Sequence, residues 1–158
     1  MEDEDAGAQA GFRAATGAAG PPGGTSRERA AGVTAALDDL LQIRRLVNTQ
    51  APDPAAVPAP WERTRPVRAV ALGLEAAGIP PSAVGPDARR TATGYCVTAA
   101  GPPGTVRVDW LGPHGSGAAY EGAKALARCA EALRRLGWVA LEYRGPRRQW
   151  YLHVEPPA

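Results

Sequence analysis

The chain has 158 residues, with 19 glycines, 16 prolines and 18 basic against 16 acidic side chains, for a formal net charge of +2. That length holds one domain, and a combined Gly and Pro share near a fifth, against an ordinary share of about 12%, predicts that part of it lies outside any packed core. So small a charge does not make nucleic acid the default partner. No apolar run reaches the length of a membrane span, and Cys96 and Cys129 have neither CxxC nor metal-ligand spacing.

The charges are unevenly placed. Glu2, Asp3, Glu4 and Asp5 hold a quarter of the acids, and from Trp61 onward 13 basic face 8 acidic side chains, so the domain is mildly basic. Lys124 is the only lysine. Arginine, alanine, glycine and proline together fit the codon bias of a GC-rich bacterial genome, which weakens any argument from an arginine alone. The acidic start lacks the basic and apolar stretches of a secretory signal, so the expected location is the cytoplasm, with free thiols.

Residues 1–24 combine acids with Gly and Ala and offer only Phe12 to bury, which predicts a disordered tail. Residues 25–50 place Val33, Leu37, Leu40, Leu41 and Val47 at helical spacing, an amphipathic helix capped at Thr25 or Ser26. Residues 51–61 are rich in Pro and Ala and predict a semi-rigid spacer. The helix is then tethered, free to pack on the domain, on a second copy through those five residues, or on another protein.

Residues 62–158 read as a single α+β domain of order α-β-β-α-β-β, a four-stranded antiparallel or mixed sheet with helices on one face. Pro66 opens a helix that Gly78 ends. Two strands, 93–99 and 105–111, flank Gly101-Pro102-Pro103-Gly104. A helix over 117–136 carries Leu126, Ala130 and Leu133 on one face and charges on the other. Two more strands follow, with stripes Val139, Leu141, Tyr143 and Trp150, Leu152, Val154, joined by Arg144-Gly145-Pro146-Arg147-Arg148.

Catalytic patterns are missing: there is no Walker lysine, HExxH, EF-hand loop, zinc ribbon or dinucleotide fingerprint, and no cofactor or metal is implied. Gly112-Pro113-His114-Gly115-Ser116-Gly117 has histidine where a nucleophile elbow needs its first glycine. A pairing of Cys96 or Cys129 with His114 or His153 competes with the commoner reading of small buried cysteines. If the Trp and Val stripes face the helices, alternation puts Arg107, Asp109, Glu142, Tyr151, His153 and Glu155 outside. Three carboxylates among these six would repel a phosphate chain, and the face reads as solvated or as a pairing surface in a dimer.

Strand direction supplies a sharper idea. The second strand and the third run the same way, so Arg89, Arg90, His114, Ser116, Arg144, Arg147 and Arg148 should share one rim beside a helix N-terminus. The competing reading is that Ser116 caps the helix and the arginines keep loops soluble. The functional expectation is a non-catalytic binding module whose basic rim meets a nucleic-acid phosphate or an acidic protein surface. The rivals are an accessory subunit of a larger bacterial or mobile-element assembly, and an enzyme of unrecognised chemistry.

Overall fold

A computed structural model describes residues 12–158. The part of the expected tail from residue 1 to 11 lies outside the described residues. Helix α1 spans Ser26–Val47, and its start is closed by reciprocal bonds: Thr25 Oγ1 accepts from the Glu28 amide at 3.1 Å and Glu28 Oε1 accepts from the Thr25 amide at 2.7 Å. A short 3-10 turn (Pro54–Ala56), helix α2 (Pro60–Thr64) and helix α3 (Pro66–Ala76) follow. Prolines open both helices at positions where an amide would have no partner.

The expected spacer is instead a docked segment. Its prolines cannot donate, and side chains of α1 and of its C-cap residue capture carbonyls of the segment: Arg44 Nη1 donates to Ala55 O at 2.9 Å, while Asn48 Nδ2 donates to Pro54 O at 3.1 Å and Val57 O at 2.7 Å. Arg44 and Glu62 are both fully buried and pair bidentately, Nε to Oε2 and Nη2 to Oε1 at 2.7 Å each. Glu62 Oε2 also accepts from the Ala59 amide at 2.9 Å. The apolar stripe of α1 is correspondingly turned inward. Val33 and Leu40 are buried with Leu72 of α3, Leu37 and Leu41 pack beside them, and Val47 is exposed.

The architecture is α+β. Strands β1 (Ala83–Val84) and β2 (Arg90–Ala92), which lie in what reads from sequence as a Pro/Gly-rich connection, form a small antiparallel pair. The main sheet is antiparallel throughout, with order β3-β4-β6-β5 from β3 (Gly94–Ala99), β4 (Val106–Leu111), β5 (Val139–Arg144) and β6 (Trp150–Glu155). Helix α4 (Ala118–Arg135) returns the chain from β4 to β5, and Gly137 ends the connection at φ +88°. Tyr95, Val97, Val106, Val108, Leu152 and Val154 meet Val70 and Leu74 of α3 and Leu126, Cys129 and Leu133 of α4 in one core. No helix among the described residues is long and apolar enough to cross a membrane.

Residues 12–24, the described part of the expected tail, form a strap without helix or strand, bent at 17–20, that passes β3 at residues 15–17 and β1 at Ala19. They bring few apolar side chains, but their carbonyls capture donors: Tyr95 Oη donates to Ala15 O at 2.7 Å, the Val97 amide to Thr16 O at 2.8 Å and the Val84 amide to Ala19 O at 3.0 Å. At Gly17 (φ +85°) a Cβ would lie 2.0 Å from Tyr95 O, so only glycine lets the strap approach this closely. Burial pushes the Tyr95 phenol far above its ordinary range, with the Glu75 carboxylate adding to the shift.

Candidate functional site

Register fixes which loops meet. Gly94 pairs with Leu111 and Arg144 with Trp150, so the start of β3, the end of β4, the end of β5 and the start of β6 lie at one edge of the sheet, with the N-terminus of α4 following β4. Arg144, Arg147 and Arg148 are exposed on the β5–β6 hairpin at this edge. The Arg144 guanidinium sits 5.1 Å from the Trp150 ring centroid. Arg147 and Arg148 meet no carboxylate or ring among the described residues.

The loop before α4 contributes His114, which is exposed, and Ser116, whose Oγ accepts from the Ala118 amide at 3.3 Å. Gly117, at φ +81°, is the cap residue proper. Arg89 and Arg90 lie apart in role on the β1–β2 hairpin. Arg89 is exposed, 3.8 Å from the exposed Asp87. Arg90 turns inward: it donates to Gly17 O, to Ser82 Oγ at 3.3 Å and, 3.9 Å away, to Cys96 Sγ. It clamps the strap to the sheet, with Nη1 and Nη2 both engaged within the chain.

The two hairpins share one backbone plan. Gly85 N bonds Arg89 O at 2.9 Å and Gly145 N bonds Gln149 O at 2.7 Å, with Ala88 (φ +65°) and Arg148 (φ +67°) in the left-handed position that glycine favours. A side chain there costs about 1–2 kcal/mol. Ala88→Gly is therefore expected to raise the unfolding free energy by about 1 kcal/mol, read as a higher urea midpoint at unchanged m-value.

The open face of the sheet differs from its sequence reading. Of the β5 residues, Ala140 is buried under the helices, while Val139, Leu141 and Tyr143 are 37%, 42% and 44% exposed. Register decides this: Ala140 pairs with buried Val154 and Glu142 with buried Leu152, so Glu142 belongs to the helix side and the apolar stripe faces out. The face thus carries an aromatic row. Tyr143 stacks on Tyr151 with centroids 5.8 Å apart, His153 stands edge-on to Tyr143 at 6.4 Å, and Arg107 lies 3.8 Å over the Tyr151 ring. Its carboxylates are internally paired, Asp109 with Arg107 at 3.0 Å and Glu155 with His153 at 3.2 Å. Alternation of β5 alone cannot find this row, since three apolar residues outvote one alanine.

Cys96 and Cys129 are free and buried. Burial raises both thiols, Cys129 to about 12, so neither holds a thiolate at neutral pH. No group of three His, Cys, Asp or Glu among the described residues is placed to hold a metal ion. A groove of about 560 Å³ between α1 and α3 is lined by Phe12, Leu40, Ile43, Trp61 and Leu72 with Arg68 among its polar lining. The Trp61 indole N–H beside it is buried without a hydrogen-bond partner among the described residues. Comparison with protein-family models, with curated proteins and with solved structures finds no match.

Proposed function

We propose that the chain is a non-catalytic binding module whose β5–β6 hairpin contacts an anionic partner, the phosphate chain of a nucleic acid in the first instance. The observation that supports this reading is the state of three arginines within five residues of one exposed loop. Arg44, Arg29 and Arg107 are held by carboxylates, and Arg90 by the strap and its neighbours. Arg147 and Arg148 are exposed and Arg144 is braced on the Trp150 ring, and none of the three meets a carboxylate among the described residues. Planar guanidinium groups on a rigid hairpin suit bidentate contact with phosphate or carboxylate. Arg13, Arg27 and Arg128 are exposed as well but stand singly along the chain, so what sets this loop apart is the grouping of three arginines within five residues. Free, buried thiols fit a reducing compartment, and we place the protein in the cytoplasm.

The test is a triple substitution, Arg144→Ala, Arg147→Ala and Arg148→Ala. These positions are exposed, so folding should be retained, as circular dichroism would show. Affinity for a labelled oligonucleotide is expected to fall by at least about tenfold. Unchanged affinity would remove the rim from the account. Loss of a protein ligand with no change toward nucleic acid would assign the loop to an acidic protein surface.

A further inference from the structure

The two edges of the main sheet are treated differently. Along β3 the chain seals its own edge: the Tyr95 amide donates to Pro80 O at 3.0 Å, the Ser82 amide to Tyr95 O at 2.8 Å and the Val97 amide to Thr16 O at 2.8 Å. Along β5 no further strand pairs among the described residues. The Gly145 amide bonds to Gln149 O, so by alternation Tyr143, Leu141 and Val139 direct their backbone groups to β6, and Ala140, Glu142 and Arg144 direct theirs outward. One outward carbonyl is already taken, since Arg134 Nη2 donates to Ala140 O at 2.6 Å. The outward groups of Glu142 and Arg144 remain as a template for pairing, beside the exposed Leu141 and Tyr143.

We infer that β5 pairs antiparallel with β5 of a second copy about a two-fold axis at Tyr143, joining the two sheets into one of eight strands. Among symmetric registers, those centred on Ala140, Leu141 or Glu142 need the Ala140 carbonyl that Arg134 occupies. The register centred on Glu142 also sets glutamate against glutamate, and the one centred on Arg144 sets arginine against arginine. Centring on Tyr143 places Glu142 opposite Arg144 of the other copy, twice over. It also puts Ala140 opposite Pro146, which has no amide to offer. Charge complementarity and the Arg134 cap therefore select the same register by separate routes. On the open face the Tyr143–Tyr151 stack then continues across the axis into its symmetry mate. The two readings share Arg144, but this inference does not rest on the anionic-partner reading, because it is argued from the β5 edge and from Glu142, which is no part of the proposed anion contact.

Sedimentation equilibrium across a concentration series tests it. The full chain should move from one-chain toward two-chain mass. Glu142→Arg alone and Arg144→Glu alone should each weaken association by about tenfold or more, because like charges then face each other, while the double reversal restores it. Both side chains are exposed, and recovery in the double variant shows that neither change acts by unfolding. A chain that stays at one-chain mass at the highest concentration would overturn the inference. So would a dimer indifferent to the single reversals, or one that the double variant fails to restore.

Discussion

Glu62→Ala is expected to destabilise the protein by about 3–5 kcal/mol, a loss large enough to shift its urea midpoint far toward zero. The substitution leaves the Arg44 guanidinium fully buried with Ala55 O as its one remaining acceptor among the described residues, and it strips the Ala59 amide of the Glu62 carboxylate. The size of the effect reports the uncompensated charge, not the net strength of the pair. Replacing both partners, Arg44→Met with Glu62→Leu, should recover most of the loss, because no charge then stays in the interior. Equal destabilisation by the single and double variants would mean that packing, not charge, dominates there.

Gly137→Ala should cost nearly as much, about 2–4 kcal/mol, from two sources. The residue sits at φ +88°, where a side chain is strained, and the added Cβ would lie 2.0 Å from Ala56 O and 3.3 Å from Pro58 Cδ. The neighbour is backbone of the docked 51–61 segment, so relief requires that segment to lift from the α4–β5 turn. Thermal or urea unfolding measures the cost, and limited proteolysis within 51–59 should accelerate in the variant. A change below about 0.5 kcal/mol would show that the segment is not held against Gly137.

Much of the domain was legible from periodicity. The α4 stripe of Leu126, Ala130 and Leu133 and the alternation of Val106, Val108 and Trp110 each report burial against a single layer, and both elements lie where that spacing puts them. The 51–61 segment was not legible as docked, because proline richness describes the backbone's stiffness and says nothing of Arg44 and Asn48 reaching it from another helix. Glu62 gave no signal either; a buried carboxylate is visible only once its partner is placed. The strap at 12–24 is held by main-chain carbonyls, which leave no trace in side-chain pattern.

The same distinction governs the rim. Direction alone brought Arg144, Arg147 and Arg148 to the edge shared by the start of α4, because that follows from topology. Arg90 looked equivalent in sequence, and its engagement with Gly17 O and Ser82 Oγ depends on the strap. The aromatic row on the open face required the β5–β6 register, which a count of apolar residues in β5 misassigns by one position.

The proposed contact of the β5–β6 arginines with nucleic-acid phosphate makes binding depend on salt. The most direct measurement is the salt dependence of binding to labelled single- and double-stranded DNA and RNA, for the unaltered chain and the triple arginine variant. Binding is expected at low salt, and the logarithm of the affinity should fall linearly with the logarithm of salt concentration. The slope for duplex DNA should shrink by about 0.9 for each of the three arginines removed. No binding to any of the four probes at low salt, or a slope identical in the two proteins, would contradict it.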